Sequence, residues 1–205
     1  MKKVLLFIVL LLIAFSVYWF MLRTKNTTVK APKQASITLI RHSDTFNLSV
    51  DKAINEYLEM KNAFVESDTL KIKSHAAKFL SLLDSIPLTE LKQDTSMIFE
   101  TAESNIADIK SNVASLISQK DLQEMRADFS MVTEMMYPSF FKTINYEGQK
   151  LYLQHCPMAF DEDKGANWLS NSVEIVNPYL GKSHPKYKAT MLHCGEVKDT
   201  VKHDN

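Results

Sequence analysis

Two short clusters of sulfur and imidazole side chains near the C-terminus are the part of the sequence best suited to chemistry. They read HCPM at 155–158 and MLHCG at 191–195. Soft thiolate and thioether donors select Cu(I), and imidazole suits copper and zinc. The two clusters together offer six donors: His155, Cys156, Met158, Met191, His193 and Cys194. Six donors are more than one Cu(I) ion takes, so some of these side chains must have another role.

A disulfide between Cys156 and Cys194 is the competing interpretation. The chain has two cysteines, and in an exported domain such a pair most simply forms one bridge. By the loop-entropy model this bridge would stabilise the fold by roughly 3–4 kcal/mol. Met158 and Met191 would then be packing residues. Spacing alone leaves the metal site and the disulfide both open, because irregular Cys and His spacing is a weak metal signal.

Backbone-breaking residues accompany both clusters. Pro157 stiffens the first cluster and is expected to prevent it from continuing as a helix or a central strand. Gly195 lets the backbone turn tightly beside the second thiol. Only residues 151–154, just before the first cluster, have the composition of a short strand. We therefore expect both clusters in an irregular part of the fold.

The composition of the chain changes at about residue 145, and the elements on the two sides of this point must position the clusters. All four glycines lie after that point: Gly148, Gly165, Gly181 and Gly195. A long glycine-free stretch with helical periodicity predicts a helical bundle over 48–144. Residues 145–201 are predicted to form a small irregular or short-β cap that carries the Cys, Met and His residues. Residues 202–205 are predicted to be a frayed tail.

Four helices are predicted from apolar residues spaced three and four apart. They cover about 49–66, 68–85, 89–118 and the stretch from Asp121 to Pro138. Asp121 followed by Glu124 is typical of an N-terminal cap, and Pro138 closes or kinks the last helix. Arg126 lies beside the apolar stripe of that helix, where we expect it to pair with a carboxylate. Short connections predict antiparallel neighbours, so the fold class is mainly α, an antiparallel bundle with a small C-terminal cap.

The N-terminus has the pattern of a targeting or membrane segment. Two lysines precede residues 4–22, an apolar run whose only clearly polar member is Ser16. Its length fits a span of about 17–25 residues better than a signal core of about 7–15. We expect residues 1–22 to anchor the protein in the inner membrane with the domain outside the cytoplasm, and residues 23–47 to be a tether and lead-in. Cleavage after Ser16, which would release a secreted protein, is the alternative.

Composition excludes several classes of function. The chain has 205 residues, 24 basic and 24 acidic, so its net charge of zero gives no electrostatic argument for nucleic-acid binding. The phosphate-binding, zincin and serine-hydrolase motifs do not occur. No nucleophile–base or acid–base constellation is visible either. We expect a protein that is not an enzyme, has no small-molecule substrate and does not bind nucleic acid.

The C-terminal motifs resemble a known family. The strings LYLQHCPMAF, KGANWLS, VEIVNPYLG and MLHCGEV, together with QEMRADFSMV at 123–132, are similar to an uncharacterised bacterial exported domain. That domain of unknown function occurs alone behind a signal or anchor, and fused to periplasmic adaptor subunits of copper/silver and other heavy-metal efflux pumps. The resemblance covers about residues 48–201. It implies metal handling by its Cys-Pro-Met and Met-x-x-Cys-Gly motifs, which correspond here to Cys156, Met158, Met191 and Cys194.

The expected function follows from this resemblance and the donor chemistry. We expect a membrane-anchored, extracytoplasmic heavy-metal-binding protein that buffers the ion or delivers it to an efflux partner. Cu(I) is the expected ion, with Zn²⁺ or Ag⁺ as other candidates, and His155 and His193 are additional ligand candidates. The alternative is a disulfide-stapled structural or interaction module of the cell envelope that binds no metal.

Overall fold

Residues 41–93 and 97–201 are described by a computed structural model of the chain. In this part the chain is mainly helical, with four α-helices followed by a small three-stranded antiparallel sheet, as the sequence predicts. The predicted anchor at 1–22, most of the tether at 23–47 and the tail at 202–205 lie outside the described residues. Within the described ranges, no helix combines the length and the apolar character of a membrane span.

The first helix, α1, spans Asp44–Glu66 and begins within the segment expected to be a lead-in. Ser43 caps it: its hydroxyl accepts a hydrogen bond from the Phe46 N–H over 3.1 Å, which satisfies one of the free donors of the first turn. Ser67, in the left-handed conformation with φ 58°, ends it. The capping residue Ser43 therefore sets the start of α1, and the helix begins before the apolar pattern does.

The next two helices frame a short 3₁₀ segment. Helix α2 spans Thr69–Leu83 and is capped by Asp68. A 3₁₀ helix over Leu88–Gln93 precedes helix α3, Ile98–Ser118. The prediction of one helix over 89–118 is wrong, because the helical run is not continuous: Met97, directly before α3, has a left-handed φ of 45°. The apolar stripe of α3 is buried as its spacing predicts, at Ile98, Ala102, Ile106, Ile109, Val113 and Leu116.

The fourth helix, α4, spans Leu122–Glu134, and both predicted end signals are confirmed. The Asp121 carboxylate accepts hydrogen bonds from the backbone N–H groups of Gln123 and Glu124. A π-helical segment, Met135–Phe140, continues the helix but is interrupted at Tyr137, which has extended φ/ψ angles of −135° and 128° just before Pro138. A single helical turn, Phe141–Thr143, follows.

Three antiparallel strands form the C-terminal sheet: β1, Leu151–Asp161; β2, Lys164–Ser170; and β3, Glu196–Val201. The strand order is β2-β1-β3, so β1 is central. The predicted cap is therefore more regular than expected, and the prediction that Pro157 excludes a central strand is wrong. Pro157 is tolerated because β3 pairs with β1 only as far as His155, and the β1–β2 register shifts between Cys156 and Asp161. Proline occurs in sheets at such irregularities, where no ladder hydrogen bond is required of its nitrogen.

Aromatic side chains join the sheet to the helices. Tyr57 of α1 stacks on Phe129 of α4, with ring centroids 5.1 Å apart. The Tyr57 hydroxyl also accepts the Leu169 N–H of β2 over 3.1 Å and lies 2.7 Å from the Thr133 hydroxyl. Tyr179 contacts the rings of both Phe129 and Trp168. The sheet that carries the sulfur clusters is thus attached to α1 and α4 through one continuous buried core.

Candidate functional site

The fold brings the two thiols into contact. The Sγ atoms of Cys156 and Cys194 are 2.9 Å apart, although the residues are 38 positions apart in the chain. Cys156 is fully buried in β1, whereas Cys194 is partly exposed in the turn before β3. A disulfide has an S–S length of about 2.05 Å, and two sulfurs that hold one ion in a line at about 2.3 Å each are about 4.6 Å apart. A movement of one to two ångströms thus separates this dithiol from either state.

Strand pairing positions Cys156. It lies opposite Ala166 of β2, and His155 lies opposite Asn167. Because side chains alternate along a strand, Cys156 and His155 point to opposite faces of β1. Cys156 takes the buried face, where Trp168 and Ala166 of β2 are also buried. The indole N–H of Trp168 is buried without a hydrogen-bond partner among the described residues.

A tight turn positions Cys194. A short 3₁₀ helix, Ala189–Met191, leads into it, and the Cys194 N–H donates to the Met191 carbonyl over 3.0 Å. Gly195 follows with a φ of 143°, and a Cβ there would lie 2.7 Å from the His155 carbonyl oxygen and 3.0 Å from the Trp168 ring. Only glycine fits this close approach in this conformation, so Gly195 allows the turn that the sequence predicts for it.

Asn177 connects the second cluster to the rest of the sheet domain. Its side-chain amide donates to the Cys194 carbonyl over 2.8 Å, and its backbone N–H donates to the Leu192 carbonyl over 2.8 Å. Its side-chain oxygen accepts the N–H groups of Tyr179 and Leu180, which closes an Asx turn. The side chain is fully buried. Asn177 was not among the predicted site residues; the signal that was available is the Asn-Pro pair, which favours turn initiation.

Burial raises the pKa of the Cys194 thiol to about 12, and the hydrogen bond to Cys156 and the negative charge that Cys156 carries as a thiolate act in the same direction. The thiol is therefore protonated at neutral pH. A soft metal ion would have to displace this proton, because the thiolate is the ligand form. Reactive catalytic cysteines have a lowered pKa instead, so only a small fraction of Cys194 is thiolate at neutral pH and its reactions as a nucleophile are slow.

The two methionines of the predicted set lie beside the thiols in the chain and are partly buried against the core. Met191 ends the 3₁₀ turn that precedes Cys194. Met158 follows Cys156 by two residues and lines a cleft of about 640 Å³ between the β1–β2 hairpin and the loop around His184. The rings of Phe160 and Tyr187 form part of the same cleft.

Each of the two candidate histidines makes a hydrogen bond through Nδ1 to a group other than the cysteines. The His155 ring shares a 2.8 Å hydrogen bond between Nδ1 and the Asn167 side-chain oxygen, and Asn167 donates to Glu134 over 2.6 Å. His193 is exposed, and its Nδ1 lies 2.7 Å from the Ile175 carbonyl. Within residues 41–93 and 97–201, no three His, Cys, Asp or Glu side chains form a group that could hold a metal ion. The two thiols are the candidate donors that the fold brings into contact, and thiol sulfur suits a soft ion of low coordination number better than Zn²⁺ with its four ligands.

The environment of Arg126 differs from the prediction of a carboxylate partner. Its Nε–H donates to the Pro178 carbonyl over 3.3 Å, while its Nη2 is buried without a hydrogen-bond partner in the described part of the chain. Burial lowers the pKa of this guanidinium to about 10, and Asp121 acts against that shift. Arg126 thus ties α4 to the turn that begins at Asn177, through a main-chain acceptor rather than an ion pair.

Comparison with known proteins locates a family domain in the helical part. No curated protein and no solved structure matches the chain. A family model described as "Protein of unknown function (DUF3347)" matches residues 53–147. The match contains 123–132 and ends before β1, so none of the C-terminal Cys, Met or His motifs falls within it. The match agrees with the predicted resemblance to a domain of unknown function: residues 53–147 are similar to DUF3347.

Proposed function

We propose that this chain is a membrane-anchored extracytoplasmic protein that binds a soft monovalent metal ion, Cu(I), and passes it to an efflux partner. The observation that carries the proposal is the 2.9 Å contact between the Cys156 and Cys194 sulfurs. The contact joins two motifs that are far apart in the sequence, one on a central strand and one in a turn.

The chemistry of the pair fits this ion. Thiolate sulfur selects Cu(I), and two donors are enough for a two-coordinate soft ion. Cys194 is partly exposed whereas Cys156 is fully buried, so the Cys194 sulfur is the one with space beside it to reach the separation that an ion between two sulfurs needs. Met191 and Met158, the neighbours of the two cysteines in their motifs, are the candidates for a third, thioether ligand.

The location and the partner rest on the sequence. Residues 4–22 form an apolar run of spanning length behind two lysines, which supports an anchored domain outside the cytoplasm. Partial exposure of Cys194 gives one ligand a path to solvent, as exchange with a second protein requires. Delivery to a heavy-metal efflux component is the role that the resemblance of the C-terminal motifs implies.

The test is an anaerobic Cu(I) competition titration of the reduced full-length protein in detergent against a chromogenic chelator. We expect one ion per chain, and loss of tight binding in Cys156→Ser and in Cys194→Ser. Met158→Leu and Met191→Leu report the thioether contribution. Met97→Leu is the matched control, because Met97 lies directly before α3 and is 74% exposed. No competition by the fully reduced parent would overturn the metal proposal.

The same contact favours a second candidate function, a disulfide-stapled interaction module of the cell envelope. A thiol count on protein isolated from the envelope, alkylated before lysis, distinguishes the two. Two free thiols per chain agree with a metal site. No free thiols, together with no Cu(I) binding after reduction, would identify Cys156–Cys194 as a structural bridge.

A further inference from the structure

We propose that the Cys156–Cys194 pair undergoes thiol–disulfide exchange with a disulfide-bearing oxidant, in which Cys194 is the attacking thiol and Cys156 the resolving thiol. The proposal rests on the same two residues as the proposed function, as a regulation of that site, but requires no metal. It assigns different roles to two cysteines that the sequence presents as equivalent.

The reaction balances in two steps. The Cys194 thiolate attacks one sulfur of the oxidant R–S–S–R, which forms a mixed disulfide and releases one R–S⁻ that takes up the proton lost by Cys194. The Cys156 thiolate then attacks the Cys194 sulfur, which forms the internal bond and releases the second R–S⁻ with the proton from Cys156. The two protein thiols are oxidised, and the oxidant is reduced to two R–SH molecules.

Access to solvent assigns the first step to Cys194. The Cys156 side chain is 0% exposed, and it lies in the central strand of the sheet. Cys194 is partly exposed in the turn that precedes β3. Exchange requires the attacking thiolate to reach a sulfur of the oxidant, so Cys194 can attack an external disulfide while the fold remains intact, but Cys156 cannot.

The contact between the sulfurs assigns the second step to Cys156. At 2.9 Å from Cys194 Sγ, its sulfur is already beside the atom that it must attack. The hydrogen bond from Asn177 to the Cys194 carbonyl and the close packing of Gly195 on His155 hold the turn against β1. A pre-positioned thiol inside the molecule outcompetes a second external thiol, so the mixed disulfide should not accumulate.

Closing the bond has a structural consequence for the cleft beside Met158. Both walls of that cleft belong to the segment between Cys156 and Cys194. One wall is the hairpin with Phe160 and Lys164, and the other is the loop with His184 and Tyr187. An internal disulfide therefore encloses both walls in one covalent loop. The same bond consumes both thiols, so the oxidised chain cannot present them to a metal ion.

The experiment uses reduced, metal-free full-length protein in detergent with a chelator present, oxidised glutathione as the probe, and acid quenching followed by intact-mass analysis. The parent should lose both thiols and carry no glutathione. Cys156→Ser should carry one glutathione on Cys194. In Cys194→Ser the remaining thiol is Cys156. It should react with glutathione at least about tenfold more slowly than Cys194 does in Cys156→Ser, because buried structural thiols are inert.

Two controls keep the assignment independent of variant folding. In denaturant the two variants should react at equal rates, since burial no longer separates them. In the folded parent, a substoichiometric maleimide should label Cys194, as read by peptide mapping. Equal rates for the two folded variants, labelling of Cys156, or a stable glutathione adduct on the parent would overturn the proposal. Because no metal is present, its outcome does not depend on the Cu(I) titration.

Discussion

The side-chain amide of Asn177 donates a hydrogen bond to the main-chain carbonyl of Cys194 over 2.8 Å. Asn177 lies at the start of the turn that ends at Gly181, so this bond links that turn to the second sulfur cluster. Its backbone N–H reinforces the link by donating to Leu192. The position of the Cys194 thiol therefore depends on a residue that carries no metal or redox chemistry itself.

Replacement of Asn177 by alanine should destabilise the reduced protein by about 3 kcal/mol, because it leaves several buried backbone groups without partners. Those groups are the Cys194 carbonyl and the N–H groups of Tyr179 and Leu180. Urea unfolding in the presence of a reductant measures the change. Asn171→Ala, at an exposed position of the same segment, is the control and should leave the stability unchanged. Equal stability of the two variants would contradict the linking role of Asn177.

Replacement of Gly195 by alanine should cost about 2 kcal/mol or more, since its φ of 143° is unfavourable for a residue with a Cβ. The new methyl group would also meet the His155 carbonyl oxygen at 2.7 Å and the Trp168 ring at 3.0 Å. Gly165→Ala is a useful comparison, because its Cβ would meet the Cys156 carbonyl oxygen at 2.7 Å without a positive φ. Thermal unfolding of both reduced variants should rank Gly195→Ala as the less stable, and the opposite ranking would argue against backbone strain at Gly195.

Replacement of Tyr57 by phenylalanine should destabilise the fold by about 1–3 kcal/mol, the usual cost of an unpaired buried donor. The variant keeps the ring stack on Phe129 but removes the hydroxyl that accepts the Leu169 N–H. Tyr152→Phe, on the partly exposed part of β1, is the matched control. Chemical denaturation followed by far-UV circular dichroism gives both values. An unchanged stability for Tyr57→Phe would mean that this bond does not attach the sheet to α1.

Replacement of Glu90 by glutamine should destabilise the protein by about 1 kcal/mol near neutral pH. The expected loss is small because solvent screens the charge of this partly exposed carboxylate. The Glu90 carboxylate accepts the Ser43 N–H over 2.6 Å and the Ser43 hydroxyl over 2.7 Å. Partial burial acts to raise the pKa of Glu90, but the two Ser43 bonds and the nearby His42 outweigh it, so the pKa is lowered.

The pH dependence of this effect has a defined sign. A carboxyl group whose pKa is lower in the folded than in the unfolded state stabilises the fold above its ordinary value of 4.5 and loses that contribution as the pH falls. The stability difference between parent and Glu90→Gln should therefore be full at pH 7 and shrink below about pH 4.5. Urea unfolding at several pH values tests this, with Glu103→Gln on α3 as an exposed control. A difference that grows on acidification would contradict it.

Replacement of His155 or His193 by alanine should leave Cu(I) affinity unchanged. His155 lies on the face of β1 opposite to Cys156 and bonds to Asn167, and the His193 ring bonds to the Ile175 carbonyl. The competition titration used for the cysteine variants measures this directly. A marked loss of affinity in either histidine variant would show that the imidazole enters the metal site, and the two-thiol donor set would then be wrong.

Several features of the fold followed from local sequence. Asp121 and Pro138 marked the ends of the fourth helical stretch, and the apolar spacing of α3 identified its buried side, because caps, breakers and periodicity act within a few residues. The change from helices to a strand-containing C-terminal part also followed, from the position of the glycines. These properties depend on residues close together in the chain, so the sequence predicts them. The types of the donor side chains at 155–158 and 191–195 can also be read directly from the sequence.

Long-range pairing decided what local sequence did not. Pro157 occupies the central strand because β3 stops pairing before it and the register of β2 shifts there, which no local rule reveals. Arg126 finds a main-chain carbonyl 52 residues away instead of a carboxylate. The sequence by itself determined that two thiols and their neighbouring thioethers would be available outside the helical part. Only the tertiary structure decided that Cys156 would be buried, that Cys194 would be accessible, and that their sulfurs would touch, because strand register and the Asn177 turn join segments distant in the chain.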